Sequence, residues 1–365
     1  MRPVSVRIMH PEPGHEAGPL VRWVADRRAA LADRHVVGFG AAGAGDVAIV
    51  SGPPDGRSFG ARLREIVRSE RPAGLVVLGS GSIPLATQRD RVAFVRTAAD
   101  DRRVALANNR YSADVAAIAH AEVLADLPDL PGDNALPRWL DEVAGYAVGD
   151  LRRRWRLAAD VDGPLELVLL GDWSIGDDAD LGPLEAGVAG VRAVAADRRA
   201  ELLVSGRTSA STLDWLERSA AARVRAFVEE RGLRAASRLA QDTAGDVATA
   251  GDRARRGPAA LLGLLLDRDG PAAIGEHLAR LCDGAIVDTR VLLAHRLGPD
   301  ERRWPEAEDR FASDLLIAER VTDPWLRELT RAARDAPIPV LLGGHSLVGP
   351  GIRLLLGTRG SRRWT

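Results

Sequence analysis

Three polar clusters in the first half of the chain, each behind a short apolar run, hold residue types that could do chemistry. Gly74–Leu78 leads into Gly79, Ser80, Gly81 and Ser82. Val104–Ala107 leads into Asn108, Asn109 and Arg110, and Leu157 leads into Asp160 and Asp162, with Pro164 and Glu166 behind. If the runs are strands of one open parallel sheet, the clusters share its carboxyl edge, where such sheets collect ligands. Each cluster also has a plain structural reading. The glycines turn the chain, Asn108 and Asn109 suit left-handed turn geometry, and Asp160 and Asp162 cap a helix that starts near Pro164.

The second half offers three further junctions. Leu203–Ala210 passes through Arg207, Thr208 and Ser209 into a helical pattern. Its Arg, hydroxyls and helix-leading N–H groups suit an anion, with N-capping as the alternative. Asp288, Thr289 and Arg290 follow another apolar run, and a Gly-rich loop at Gly343–Gly351 carries His345 and Ser346. Loops at strand ends are where a scaffold places ligand contacts. Arg207, Asp288, Arg290 and His345 are therefore expected within roughly 10 Å of one another, in one ligand-sized cleft. The rival is a helical oligomerisation module whose loops are surface turns, with a homodimer face on the helices of 211–231 and 309–321. A metal site from Asp288, His295, Glu308, Asp309, Asp314 and His345 stands against a solvated acidic helix face.

To position these residues the chain must alternate strands with helices. Val4–Ile8, Asp46–Val50, Gly74–Leu78, Val104–Ala107 and Leu157–Asp160 read as strands. Gly18–Ala32, Ser58–Ser69, Arg89–Ala99 and Ala113–Ala125 read as helices. That alternation predicts an α/β domain with a mostly parallel sheet over 1–170. The acidic, glycine-bearing stretch Gly171–Asp180 reads as a linker, and 181–365 as a second, mainly helical α+β domain. There Ser211–Ala222 and Arg223–Arg231 carry helical periodicity stopped by Gly232. Gln241–Arg256 reads as a polar loop, and Ala285–Val287 and Pro339–Leu342 as strands. A literal GxGxxG at Gly38–Gly43 is followed by a strand where a dinucleotide fingerprint needs a helix, and it reads as a turn.

Composition narrows the chemistry. The 365 residues carry 50 basic and 51 acidic side chains, a net charge of -1, which lacks the basic excess of a nucleic-acid binder. All 50 basic residues are Arg. Schiff-base, P-loop and kinase lysines are thereby excluded, and any phosphate must be met by Arg, backbone N–H groups or a metal. The single cysteine, Cys282, can form no intrachain disulfide and reads as a small buried hydrophobe. With no apolar run near 18 residues, the expectation is a cytoplasmic protein without a membrane segment.

The order of the three N-terminal clusters resembles the nucleotide-diphospho-sugar transferase superfamily, especially the molybdenum cofactor and 2-phospho-L-lactate guanylyltransferases. Pro84 and Leu85 match a Pro-Leu that follows a metal-binding Asp. Arg110 matches a Pro-Asp-Arg-Gly-Gly-like loop, and Asp160, Asp162, Pro164, Glu166 and Leu167 match an Asp-x-Asp-Thr-Pro-x-Asp-Leu segment. The resemblance covers about residues 55–170. It implies transfer of a nucleotidyl group from a nucleoside triphosphate to a phosphorylated or acidic small molecule. Gly79–Ser82, Asn108, Asn109 and Arg110 would bind the nucleotide, and Asp162, with Asp160, would hold Mg²⁺. The chain departs from the pattern at Ser82, which stands where the family's first metal-binding Asp falls. The alternative is a catalytically silent member of the fold that binds a nucleotide or a partner protein.

Overall fold

A computed structural model describes residues 2–53, 55–130, 132–175, 180–230 and 258–357. The chain divides into two compact units, 1–161 and 162–365, each with its own sheet.

The N-terminal unit carries β1 (Val4–Pro11), β2 (Asp46–Gly52), β3 (Gly74–Gly79), β4 (Val104–Ala107), β5 (Val115–Ala119) and β6 (Ala147–Asp150). Their order is β2-β1-β3-β5-β4-β6. Every pairing is parallel except the two made by β5, which runs antiparallel to β3 and β4. On one side Val6, Ile8, Val76 and Leu78 pack with Phe39, Phe94 and Val95. On the other, Leu75, Val77 and Ile118 pack with Leu63, Val67 and Leu124. Burial on both faces explains the unbroken apolar run of β3.

Three expectations for this unit give way. Ala113–Ala125 is helical only at its end, in the 3-10 helix Ala121–Asp126: Val115–Ala119 fills the slot between β3 and β4 as β5, with all five residues buried. Burial on both faces overrides the helical preference of its alanines. Leu157–Asp160 is not a strand: Leu157 ends a 3-10 turn, and Asp160 makes one antiparallel bridge to Ser82. Ala147–Asp150 occupies the sheet instead. Gly38 and Gly40 lie inside the helix Pro19–Ala41, where a Cβ on Gly38 would come within 2.6 Å of the Arg91 side chain.

The C-terminal unit holds β7 (Glu201–Gly206), β8 (Arg223–Val228), β9 (Gly284–Asp288) and β10 (Val340–Gly343). All are parallel, in the order β10-β9-β7-β8. The unit is thus α/β in its own right rather than mainly helical. Arg223–Arg231 was expected to be helical, yet Arg223–Val228 is β8; its apolar residues are too few to separate the two periods. Helices Gly182–Ala196, Ala210–Ser219, Thr289–Leu297 and Pro324–Arg334 connect and flank the strands. Phe311, Ala312, Leu315 and Leu316 are buried, so the face proposed for a dimer contact on that stretch packs inside the unit. Gly232, the loop Gln241–Arg256 and residues 176–179 of the expected linker lie outside the described residues. Among the described residues, no helix is long and apolar enough to cross a membrane.

Candidate functional site

Each sheet has a point where its connections reverse direction. Strand β1 sends the chain to β2 on one side and then to β3 on the other, so a crevice is expected at the carboxyl ends of β1 and β3. His10, at the end of β1, lies 3.0 Å from Ser80 Oγ through its Nδ1, and the Ser80 N–H donates to Met9 O. Burial, then Arg28, lowers the His10 pKa. Behind the loop, His35 is fully buried and donates from Nε2 to the Ser82 carbonyl at 2.8 Å. Burial pushes its pKa down to about 4, which keeps the ring neutral. The next residue, Ile83, is fully buried with φ 47°. A β-branched side chain in the left-handed region is strained by about 1–3 kcal/mol, and such strain clusters at functional sites.

The predicted residues of this unit divide into two sets. Gly79, Ser80, Gly81 and Ser82 lie at the switch point. Gly81 is close-packed: a Cβ there would meet Val161 O at 2.9 Å and Asp160 Oδ1 at 3.1 Å. Arg28 donates from Nε to Val161 O at 2.7 Å, so a cation stands beside the glycine loop. Asn108, Asn109 and Arg110 follow β4 but are engaged with their neighbours. The Asn108 amide donates to Asp114 Oδ2 and Leu157 O, and its Oδ1 accepts from the N–H groups of Asp114 and Val115. Asn109 Oδ1 accepts from the Tyr111 N–H in a turn, and Arg110 is ion-paired with Asp141.

A hard divalent cation wants several anionic oxygens. Ser82 supplies a neutral hydroxyl, and Asp160 Oδ1 already accepts the Val161 N–H. The residues at this edge do not fit Mg²⁺ as the resemblance implies. Asp162 falls in the C-terminal unit, where its Oδ2 is 3.4 Å from both Ser346 Oγ and His345 Nδ1.

In the C-terminal sheet the reversal falls between β7 and β9. Gly206, with φ 137°, ends β7; a Cβ there would lie 2.2 Å from Asp288 Cβ. That close approach lets Arg207 grip Asp288 bidentately, Nε to Oδ2 at 2.6 Å and Nη2 to Oδ1 at 3.0 Å. Asp288 also caps the helix Thr289–Leu297 by accepting the Arg290 N–H. Arg290 is ion-paired with Asp314, its Nη2 2.6 Å from Oδ2, and donates to Thr289 Oγ1. Thr289 Oγ1 in turn donates to Gly343 O at the end of β10. Arg207, Asp288 and Arg290 thus form one connected network. His345, two residues past that carbonyl, faces Asp162.

Glu166 joins this edge from the helix Pro164–Leu169, accepting the Gly163 N–H. Burial drives its carboxyl up to about 8, and Asp162 and Asp314 add to the shift. The acids read as a solvated face are otherwise: Asp309 and Asp314 are buried, Asp309 accepting from Thr322 and Asp323. His295 lies 3.0 Å from Asp267 and accepts the Ala260 N–H. Sequence reasoning missed His10, Arg28 and His35 on the N-terminal edge. Of these, only His10 carried a signal, its place directly at the end of the first apolar run. No family model, curated protein or solved structure matches the chain.

Proposed function

We propose that the chain is a nucleotidyltransferase-like protein that binds a nucleoside triphosphate at the carboxyl edge of its N-terminal sheet. The observation that carries this reading is the strained, buried Ile83. It directly follows the Gly79–Ser82 loop at the switch point, beside Arg28 and His10. Strain of that size persists only where surrounding structure over-determines it. Arg28 would meet phosphate oxygens in a chain that has no lysine, and the glycines would let those oxygens approach the backbone. Transfer to a phosphorylated or acidic small molecule would proceed by positioning and charge neutralisation, without a covalent intermediate.

A second reading, nucleotide binding without transfer, is favoured by Ser82. Its backbone is pinned by His35 and by the bridge to Asp160, so a neutral hydroxyl stands where the resemblance expects an anionic metal ligand. Calorimetry with GTP, ATP and CTP, with and without Mg²⁺, tests binding, and pyrophosphate exchange tests transfer. Binding accompanied by exchange supports the enzyme. Metal-independent binding without exchange supports the second reading, and binding of none of the three sinks both.

A further inference from the structure

We propose that the loop Gly206–Ser211, at the switch point of the C-terminal sheet, binds the phosphate group of a small phosphorylated molecule. This does not rest on the reading of the N-terminal edge. Three observations converge on one short stretch of chain. Arg207 is held straight by its bidentate grip on Asp288. That grip uses Nε and Nη2 of a guanidinium with five N–H donors, so the Nη1 side is directed elsewhere while the side chain stays 19% exposed. Next in sequence, Thr208 is 7% exposed, and among the described residues its Oγ1 has no hydrogen-bond partner. A buried hydroxyl without a partner is costly, and an oxyanion is the partner that would satisfy it.

Third, the ten-residue helix Ala210–Ser219 starts here, capped by Ser209 on the Thr212 N–H. Its first-turn N–H groups have no intrahelical acceptor, and the positive end of the helix dipole faces the loop. Ser209, Ala210 and Ser211 are exposed, so a ligand can reach those donors from solvent. The Asp288 charge does not cancel the site. It is already shared between Arg207 and the start of a second helix, Thr289–Leu297. A tetrahedral oxyanion at this loop would therefore meet the Nη1 side of Arg207, the Thr208 hydroxyl and backbone N–H groups together.

Two variants test the site in the full chain with little risk to folding. Thr208→Val removes only a hydroxyl that has no hydrogen-bond partner among the described residues. Ala210→Pro deletes one N–H at the first helical position, which proline tolerates, after Ser209, whose extended backbone suits a residue before proline. Calorimetry with inorganic phosphate, a sugar phosphate and GTP is expected to show each variant binding phosphate at least five-fold more weakly. Its melting temperature should stay at or above that of the parent. Stronger binding of the sugar phosphate than of phosphate identifies an organic ester as the ligand; equal binding identifies the free ion. If phosphate does not bind the parent, or binds both variants as tightly as the parent, the proposal is overturned. GTP affinity unchanged in both variants while phosphate binding falls separates this site from the N-terminal edge.

Discussion

Glu166 is a buried acid whose carboxyl is pushed up to about 8 by burial. The folded chain keeps a proton there that the unfolded chain releases near 4.5, so this stabilisation is fully present below that pH and is lost as pH rises to about 8. Glu166→Gln keeps an oxygen for the Gly163 N–H and removes the titration. Urea titrations at pH 5, 6.5 and 8 should show the variant gaining on the parent by up to about 1.4 kcal/mol per pH unit; a constant difference would refute the assignment. Cys282 gives a second residue-scale outcome. Its thiol donates to Leu278 O, and burial pushes it up to about 11. A maleimide should leave the native protein unlabelled and react only after denaturant is added. The burial of Cys282 was legible from its apolar neighbours. The duty of Asn108 was legible only in part: three of its four side-chain hydrogen bonds close a local loop to Asp114 and Val115, as a turn residue would, while Leu157 is a partner that only the folded chain brings near.

Among the elements, the helix Gln88–Ala98 depends most on one group. Thr87 and Asp90 form a capping box at its start, and Asp90, with no exposed side-chain surface, also takes Arg154 and Arg156. Burial alone would raise its carboxyl, but Arg156, Thr87 and Arg154 outweigh that and hold it down at about 2. Its contribution is present above pH 3.8 and disappears as pH falls through 2. Asp90→Ala removes the capping box and leaves two half-exposed arginines that water can solvate, and should cost about 1–3 kcal/mol, measured by denaturant unfolding at pH 7. In the other unit, Gly206→Ala pairs a left-handed backbone with a Cβ 2.2 Å from Asp288 Cβ. It should yield little folded protein, whereas alanine at the open Gly40 should be near neutral by the same assay. Strands β1, β3, β9 and β10 could be read from their apolar runs. Strand β5 could not, since five buried residues within an alanine-rich stretch fit either period. Strand β8 was equally ambiguous, since Val224, Phe227 and Val228 fit a helix's spacing and Val224, Ala226 and Val228 a strand's.

At the scale of the molecule, each unit closes its own sheet and core, with the division at Val161. Fragments 1–161 and 162–365 should each show a cooperative thermal transition by circular dichroism; a molten profile for either would deny it independence. The alternation of runs pointed to α/β architecture, while the complete sheet of the second unit went unseen because its strands are spread across long helical stretches. That spread imposes a timetable. Strand β7 ends at Gly206, and its neighbour on one flank, β9, begins at Gly284. During synthesis at roughly 5–20 residues per second, that flank waits roughly 4–16 s for its partner. Until then β7 can pair only with β8, leaving Leu202, Leu203 and Val204 with an open row of backbone donors and acceptors. A nascent chain stalled in that interval is the form of this protein most exposed to capture by a chaperone or by another copy of itself.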